Sequence, residues 1–470
     1  MTFKFIRQLL LADTISPLLS SSTLTFIEKV CHLKRRELAA IGFMTFALFL
    51  GAGNLIFPPM MAQQAGENWL IAIGGFLLTA VGLPALTLIV LGRLSSANKL
   101  TASLPNWMDR TFWFLVLTTL GPAFVLPRAV TVAYEMGIKP FYHGDGLMVF
   151  SILFCLLTLV LALKPGKLVN YIGKVMTPAL IAMLALLVIA ALVNPLGSPT
   201  DANAVYKAAP TVNGMIQGYM TLDAIAAVAF GWVIIQTIRS TGVKCDKAIS
   251  YYTLRVAGIY AVLMSLCYLA MGYLGATSSS IAPNSTNGGE ILTRYAAGEF
   301  GTFGQILLAT ITLMACLTTT IGLTNANGEY YKNTYRVPFT ISATVIMTLT
   351  ALISNVGLET IIEVSLPAIL ILCPIAVSLI IAIIFMPKTV SNETRKLSMS
   401  QTIIVIIATL FGTIDALNIL GKIPASTLKE LNTWLPLFHA HASWLLPVLV
   451  TVVISKVIHT TQRRSDVVAQ

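Results

Sequence analysis

The chain has little charge and no long polar segment. Only 10% of its 470 residues are charged and 56% are hydrophobic, whereas soluble domains carry about 25% charged residues. The mean hydropathy is +0.83, and no connection between the apolar segments has the length of a separate soluble domain. These features exclude a soluble enzyme and predict an all-α integral membrane protein that crosses the bilayer many times.

Residue patterns for catalysis and nucleotide binding are also missing. The five histidines have no Cys or Glu partner at metal-ligand spacing, and no glycine-rich Lys-Ser/Thr motif is present. The six cysteines show no metal-type spacing, and we expect no disulfides. We therefore expect no cofactor and no resident metal, and any uphill work must come from an ion gradient rather than from ATP.

The basic excess of the chain reflects membrane topology. The formal net charge is +11, but most Lys and Arg residues lie at one set of predicted helix ends, including Arg35, Lys164, Lys244 and Lys388. By the positive-inside rule these ends are cytoplasmic, which places both termini in the cytoplasm. The charge gives no indication of a nucleic-acid partner, and we predict no obligatory protein partner.

Apolar runs of membrane-spanning length predict about twelve transmembrane helices. They lie near residues 38–63, 68–92, 111–136, 146–163, 168–193, 212–238, 248–275, 302–326, 338–354, 358–386, 401–420 and 437–458. An even number agrees with two termini on the same side of the membrane.

Two of these apolar segments are interrupted by turn-forming residues. Gly51-Ala52-Gly53-Asn54 breaks the first, and the run from Gly218 to Asp223 breaks the sixth. Non-helical backbone at membrane depth survives only around a cavity or a ligand, and paired breaks in the two halves of a membrane chain indicate a transporter site. Glycine runs also occur where helices merely pack closely, so the pair is more informative than either break alone.

The two breaks divide the chain into repeats of similar length. Repeat one covers about 38–193 and repeat two about 212–386. Because five spans is an odd number, the second block enters the membrane from the opposite side, and this predicts a five-plus-five inverted repeat with discontinuous helices 1 and 6. Both repeats belong to a transporter domain predicted at 34–460, which also contains two added helices at about 401–458 and a short surface helix at 289–300. An N-terminal extension at 1–33, which we expect to be poorly ordered, precedes this domain, and a cytoplasmic tail at 461–470 follows it.

Ionisable residues within a membrane span are expensive and usually functional. Asp223 lies in the second break, where a carboxylate and free backbone groups favour a cation or a substrate ammonium group. Alternatively, Asp223 is a structural partner for Arg128 in the third span, which predicts a gate or a structural ion pair. Asp415 lies outside the repeats, and the structural interpretation is favoured there.

Three consecutive hydroxyl residues, Thr318, Thr319 and Thr320, lie in the middle of the eighth span. A lone threonine in a helix usually bonds to its own backbone, but three hydroxyls beside unwound carbonyls also form the oxygen shell that Na⁺ prefers. The half-helix that begins near Asn54 presents free N–H groups and a positive dipole end, which favour a carboxylate. An amino acid is the small ligand that satisfies both kinds of helix end.

Several motifs, in order and with comparable spacing, resemble the bacterial branched-chain amino acid:cation symporter family. They are FMTFALFLGAGNLIFPP from Phe43, QAGENW from Gln64, GPAFVLPRA from Gly121, KPGKL from Lys164, GYMTLDAIAAVAFG from Gly218 and ACLTTTIGLT from Ala315. The resemblance covers about 36–460 and implies the leucine-transporter type of inverted-repeat fold. It also implies uptake of leucine, isoleucine and valine through the inner membrane of a bacterial cell, usually driven by Na⁺.

The resemblance further implies which residues form the two sites. Carbonyls of Ala47 and Leu50 would face the cation together with Ala315, Thr318 and Thr319. The substrate would contact Gly51, Gly53, Asn54, Tyr219 and Thr221. Asp223 is not a standard ligand of the wider fold, so its inclusion in the substrate site depends on the argument from burial alone.

Secondary active transport is the predicted function, and the protein is not predicted to be an enzyme. A channel would need polar side chains along a continuous pore, and few occur along any single span. A membrane enzyme would need a cluster of acids, bases or metal ligands near a surface. The same fold could carry another small apolar amino acid, act as a cation-linked sensor, or couple to H⁺ or Li⁺, and these alternatives stay open.

Overall fold

The computed structural model describes residues 33–468, with gaps at 95–96, 143, 164–168, 284, 386–393, 436 and 439–440. The described part of the chain is almost entirely helical. The predicted extension at 1–33 lies outside the described residues, apart from Leu33. The last helix continues through most of the segment that was predicted as a cytoplasmic tail at 461–470.

The helices of the first repeat follow the predicted spans. They are α1 (Arg35–Phe49), α2 (Ala52–Ala65), α3 (Trp69–Leu77), α4 (Leu83–Leu94), α5 (Asn106–Thr118), α6 (Val125–Gly137), α7 (Leu147–Ala162) and α8 (Thr177–Val193). π-Helical turns at Leu78–Gly82 and Thr119–Ala123 join α3 to α4 and α5 to α6, and another at Val169–Met176 precedes α8. A broken helix, α1 and α2, therefore opens this repeat.

The second repeat also opens with a broken helix. After the short connecting helix α9 (Ala204–Ala208), its helices are α10 (Pro210–Met220), α11 (Asp223–Ser240), α12 (Asp246–Ala276), α13 (Gly288–Phe300), α14 (Thr302–Tyr335), α15 (Phe339–Ile353) and α16 (Leu358–Phe385). Helix α13 is the surface helix predicted at 289–300. Outside the repeats lie α17 (Thr394–Ile419), α18 (Ala425–Trp434) and α19 (Leu445–Val468).

Within the described residues, nine helical stretches are long and apolar enough to cross a membrane. Leu147–Ala162 and Leu445–Ile458 are apolar but shorter. Of the halves of the broken helices, Asp223–Ser240 is one of the nine by itself and Ala52–Ala65 is part of the stretch Ala52–Leu94. One stretch, Ala52–Leu94, turns at Gly66, where φ is +50° and a Cβ atom would lie 2.0 Å from the Thr200 carbonyl oxygen. The number of twelve spans stays a prediction.

The broken helices lie at the centre of the fold. Helix α12 packs against α1, α2 and α4, while α10 packs against α3 and α11 against α4. Helix α14 packs against α6, and the surface helix α13 packs against both α2 and α14. Because side chains around both breaks are buried on all sides, polar groups there must find partners within the protein.

Candidate functional site

The first break lies between α1 and α2. Leu50 and Gly51 leave the helical conformation, with ψ angles of 81° and −166°. The Asn54 Oδ1 atom accepts a hydrogen bond from the Gly51 backbone N–H at 3.2 Å, and this caps the start of α2. The break is narrower than the predicted Gly51–Asn54 segment because Ala52, Gly53 and Asn54 form the first turn of the new helix.

The second break lies between α10 and α11. Gly218 and Tyr219 are still helical, so the interruption is confined to Thr221 and Leu222. Leu222 has a φ of 68°, a left-handed conformation that a leucine adopts only when its surroundings impose it. Thr221 Oγ1 donates to the Gly218 carbonyl at 2.8 Å, which satisfies one carbonyl at the end of α10.

Asp223 connects the two breaks. Its Oδ2 atom accepts hydrogen bonds from Asn54 Nδ2 at 2.6 Å and from the Tyr268 hydroxyl at 2.8 Å, and Asn54 also donates to Tyr268. All three residues are buried. The site therefore joins α2, α11 and α12 through one carboxylate. Sequence reasoning missed Tyr268, although a tyrosine within an apolar span needs a hydrogen-bond partner.

Arg128 lies beside the same junction, but it does not pair with Asp223. Its Nη1 and Nη2 atoms donate to the carbonyls of Met220 and Thr221 at 3.0 and 3.1 Å, and no direct Arg128–Asp223 ion pair forms among the described residues. The predicted structural ion pair between the two is therefore wrong as a direct contact, because the guanidinium instead binds the negative end of α10. A gating role of Arg128 stays a prediction.

The glycines of the first break allow this close packing. A Cβ atom on Gly53 would lie 2.8 Å from Arg128 Nη2, and one on Gly51 would lie 3.1 Å from Thr319 Oγ1. Only a hydrogen atom fits at Gly53 without displacing the guanidinium. Gly53 thus lies against Arg128, and Gly51 lies against Thr319 of the eighth span.

The third span contains a further break, which the sequence reasoning did not predict. Gly121, in the π-helical turn between α5 and α6, has a ψ of −128°, and Phe124 has a φ of −135°. The Gly121-Pro122 pair was the available signal, since proline removes a helical donor and clashes with the preceding turn. The break positions α6 so that its first turn carries Arg128.

The predicted cation site is formed in part. Thr318 Oγ1 lies 2.8 Å from the Ala47 carbonyl oxygen and 2.9 Å from the Ala315 carbonyl oxygen. Thr319 Oγ1 donates to the Leu48 carbonyl at 2.9 Å. The structure therefore brings Ala47, Ala315 and Thr318 together, with Thr319 one residue further along α14.

Two other predicted site residues make none of these contacts. Leu50 is buried and its N–H bonds back to the Phe46 carbonyl at 2.9 Å, and its carbonyl as a cation ligand stays a prediction. Tyr219 is half-buried and does not line the central cavity. The direction that a side chain takes near a helix end depends on the local rotation of the helix, which the sequence motif does not specify.

A closed central cavity lies where the three breaks meet. It has a volume of about 20 Å³, roughly the room that one water molecule needs. Its polar lining comes from Asn54, Arg128, Thr221, Asp223 and Thr319, and its apolar lining includes Val125, Phe230 and Leu323. The helices must move apart before this cavity can hold an amino acid.

Asp415 has a different setting. It is buried in α17, and its Oδ2 atom accepts a hydrogen bond from the Ser443 backbone N–H at 3.1 Å, just before α19 begins. A carboxylate at a helix N-terminus satisfies free N–H groups and opposes the helix dipole. This contact supports the structural interpretation of Asp415.

Comparison with known proteins gives concordant results. The family model described as branched-chain amino acid transport protein matches residues 34–462. The chain is 39% identical to the branched-chain amino acid transport system 2 carrier protein of Pseudomonas aeruginosa, over 91% of this chain and 97% of that protein. It is 35% identical to the branched-chain amino acid permease BrnQ of Escherichia coli K12, over 90% of this chain and 96% of that protein.

Solved structures share the fold at low sequence identity. MhsT in complex with L-phenylalanine has a TM-score of 0.52 at 15% identity and covers 80% of this chain, with 98% of its own length matched. Mhp1, a nucleobase-cation-symport-1 family transporter in a closed conformation, has a TM-score of 0.57 at 11% identity, over 91% of this chain and 93% of its own. These likenesses confirm the predicted leucine-transporter fold with its two inverted five-helix repeats.

The family assignment also confirms that the chain is a transport protein of the membrane and not an enzyme. The motifs that resembled a branched-chain amino acid transporter lie within the matched range 34–462. This chain belongs to the branched-chain amino acid transport protein family.

Proposed function

We propose that this protein imports leucine, isoleucine and valine across the bacterial inner membrane by Na⁺ symport with alternating access. The observation that carries the proposal is the junction of the two broken helices at one central cavity, which is lined by Leu48 and Thr319. The preceding residue of each helix, Ala47 and Thr318, contributes an oxygen to the predicted cation site together with Ala315. Free helix ends supply charge-complementary groups for a zwitterion at the centre of the membrane.

The polar groups of the cavity suit the two charged ends of an amino acid. The N-terminus of α2 carries the positive end of the helix dipole, and the Arg128 guanidinium lies against Gly53 in its first turn, so this side favours a carboxylate. Asp223 lines the same cavity and favours an ammonium group or a cation. The carboxylate of the substrate would thus lie toward Arg128 and its ammonium group toward Asp223.

The apolar part of the lining suits an aliphatic side chain. Val125, Phe230 and Leu323 line the cavity, and none of them offers a hydrogen bond. A single methylene group changes binding by only about 1–3 kcal/mol in such a pocket. We therefore expect the three branched-chain amino acids to compete with one another.

Na⁺ is the proposed coupling ion because the oxygens at Ala47, Ala315 and Thr318 form a hard, neutral ligand set. The two carbonyls and the hydroxyl converge within 2.9 Å. When an ion enters, the hydroxyl would turn its lone pair toward the ion and its proton away. Proton coupling is the alternative that Asp223 favours, since it is a buried carboxylate with hydroxyl and amide partners.

The proposed orientation places the start of α1 in the cytoplasm. Arg35, Lys244 and Lys247 are exposed at this face, whereas Lys139 and Lys207 are exposed at the other. The asymmetry of basic residues determines the orientation of multi-spanning proteins. Under this orientation α2 and α10 lie on the extracellular half of the broken helices, and α1 and α11 on the cytoplasmic half.

The test is uptake of leucine by purified protein in liposomes. An inward Na⁺ gradient should drive accumulation above the external concentration, whereas equal Na⁺ on both sides should allow only equilibration. Parallel vesicles with an inward proton gradient and with Li⁺ in place of Na⁺ identify the coupling ion. Accumulation driven by protons without Na⁺ would show that H⁺, and not Na⁺, is the coupling ion. Absence of leucine uptake under every gradient would contradict the proposal.

A further inference from the structure

A second cavity lies on the cytoplasmic side of the central one in the proposed orientation. Its volume is about 20 Å³. It is lined by residues of α5, α11 and α14, namely Trp113, Leu117, Ala229, Trp232, Ala326 and Tyr330. Asn333 and Thr334 lie at its exposed edge. We call this the outer cavity.

The two cavities follow one another along the same two helices. Ala226 of α11 lines the central cavity and Ala229 lines the outer one. Likewise, Leu323 of α14 lines the central cavity and Ala326 lines the outer one. Three residues advance a helix by about 4.5 Å, so the outer cavity begins less than one turn beyond the central cavity.

The break in the third span lies between residues that line the two cavities. Leu117, before the break, lines the outer cavity, and Val125, after it, lines the central cavity. Gly121, between them, is non-helical. A π-helical turn with a glycine and a proline lacks part of the regular hydrogen-bond ladder, which makes this break the point where the third span can bend.

A buried polar group of the eighth span lies against this break. Asn327 is fully buried, and a Cβ atom on Gly121 would lie 3.1 Å from its Oδ1 atom. Its Nδ2 atom donates to the Leu323 carbonyl at 2.9 Å, but its Oδ1 atom has no hydrogen-bond partner in the described part of the chain. An unpartnered buried acceptor is costly, and the ammonium group of a passing amino acid is a donor that would satisfy it.

We propose that the outer cavity, which like the central one must widen before it can hold an amino acid, becomes an exit-side binding site for the transported apolar amino acid, and that the break at Gly121 is the wall that moves. The site rests on the proposed function, because its ligand is the substrate released from the central cavity. The indole rings of Trp113 and Trp232 and the ring of Tyr330 would contact the aliphatic side chain. Aromatic faces also attract an ammonium group, and the polar edge would leave the carboxylate in water.

The first test fills the outer cavity from two different helices. Ala229→Leu and Ala326→Leu each add bulk where the cavity lies, and Ala185→Leu, on the exposed face of α8, is the matched control. We measure initial leucine uptake into right-side-out vesicles, with and without leucine inside. Because release would become limiting, the maximal rate should fall by about tenfold, while the external KM changes less than about twofold.

Inhibition by internal leucine distinguishes an exit site from a general packing defect. In the parent protein and in Ala185→Leu, internal leucine should slow uptake, and in both cavity-filling variants this inhibition should be lost. Variants with the parent's maximal rate and the parent's inhibition by internal leucine would overturn the exit site. Absence of leucine uptake in the parent would instead overturn the proposed function, so the two failures are distinguishable.

A labelling experiment keeps the proposal testable if the larger side chains prevent folding. Thr334→Cys, in a background with Cys31 and Cys245 changed to serine, places a reactive thiol at the exposed edge of the outer cavity. Internal leucine should slow its alkylation by about tenfold when the site is occupied. Unchanged alkylation at saturating internal leucine, in a variant that still transports leucine, would overturn the proposal.

Discussion

Asn54 Nδ2 donates a hydrogen bond of 2.6 Å to Asp223 Oδ2, and this bond joins two residues that are 169 positions apart in the chain. Asn54 belongs to the first turn after the break in helix 1, and Asp223 is the first residue after the break in helix 6. The two interruptions are therefore held together by a direct contact. If one of these half-helices moves alone, the bond must break, and if both move together, the bond is kept. The bond therefore links the substrate cavity to the helices that would open it.

Replacing Thr318 by valine should weaken cation binding. The change keeps the shape of the side chain and removes the hydroxyl that lies between the Ala47 and Ala315 carbonyls. We expect the apparent affinity for Na⁺ to fall by at least about tenfold, since a ligand oxygen is lost and two carbonyls lose their partner. Leucine affinity at saturating Na⁺ should change far less. The Na⁺ dependence of leucine uptake measures both.

The matched control for this change is Thr320→Val on the same helix. The Thr320 hydroxyl lies 3.2 Å from that of Thr158 and faces away from the first break. Its removal should leave the Na⁺ dependence of uptake as in the parent. If Thr318→Val and Thr320→Val behave alike, the threonines have a structural role only.

Adding a methyl group at Gly53 should impair transport. A Cβ atom there would lie 2.8 Å from Arg128 Nη2, so Gly53→Ala forces the guanidinium away from the Met220 and Thr221 carbonyls. We expect uptake to fall by at least about tenfold, because two charge-assisted hydrogen bonds are disturbed. Gly258→Ala, at an exposed position of α12 with nothing within 4 Å, should retain uptake. Equal activity of the two variants would show that Arg128 tolerates displacement.

Asp415 should matter for stability and not for transport. Asp415→Leu removes the acceptor of the Ser443 N–H and leaves this buried donor without a partner, which typically costs about 1–3 kcal/mol. We expect a lower unfolding temperature of the purified protein, together with a Na⁺ dependence and a leucine KM like those of the parent. A variant of normal stability with altered Na⁺ dependence would assign Asp415 to the transport site.

The proposed orientation is tested by labelling exposed positions of intact cells. Lys244 and Lys207 are both exposed in the structure, and they follow helices that the inverted repeat directs to opposite faces. Lys207→Cys should react with a membrane-impermeant reagent added outside, and Lys244→Cys should react only in inverted vesicles. Both variants are made in a background with Cys31 and Cys245 replaced by serine. Labelling of both positions from one side would contradict the repeat topology.

The sequence predicted the broken helices because glycine and asparagine interrupt long apolar runs, a pattern that a bilayer strongly restricts. It overestimated the length of each break. Gly53 and Asn54 begin a helix, and Gly218 and Tyr219 end one, because tertiary contacts rather than local preference determine where a helical turn stops. Glycine composition therefore located each break only to within about one turn.

Other features of the site depend on contacts between distant spans. Tyr268 lies in an apolar helix without any local pattern, and only the fold shows that its hydroxyl reaches Asp223. The expected Arg128–Asp223 ion pair followed from opposite charges in neighbouring spans. In the structure the partners of Arg128 are instead the backbone carbonyls of Met220 and Thr221. Free carbonyls at a helix end are a partner for arginine that the residue types alone do not reveal.

Asp223 is the site residue whose substitution is most informative. Asp223→Asn keeps an oxygen that can accept hydrogen bonds from Asn54 and Tyr268, and it removes the negative charge. Since Arg128 bonds to backbone carbonyls and not to Asp223, the Arg128 guanidinium keeps these hydrogen bonds in the variant. We therefore expect normal expression and membrane insertion, in contrast to the marked instability that follows when one partner of a buried ion pair is removed.

Concentrative leucine uptake by Asp223→Asn should nevertheless fall by at least about tenfold, because a charged hydrogen-bonding group facing an ammonium or a cation is lost. Asp415→Asn applies the same chemical change to the buried carboxylate outside the repeats and should retain uptake. The double variant Arg128→Gln with Asp223→Asn should not recover activity, since the two side chains do not form a pair. If Asp223→Asn expresses poorly and the double variant expresses normally, Arg128 and Asp223 form a structural ion pair after all. Normal Na⁺-driven uptake by Asp223→Asn would remove the carboxylate from the transport site altogether.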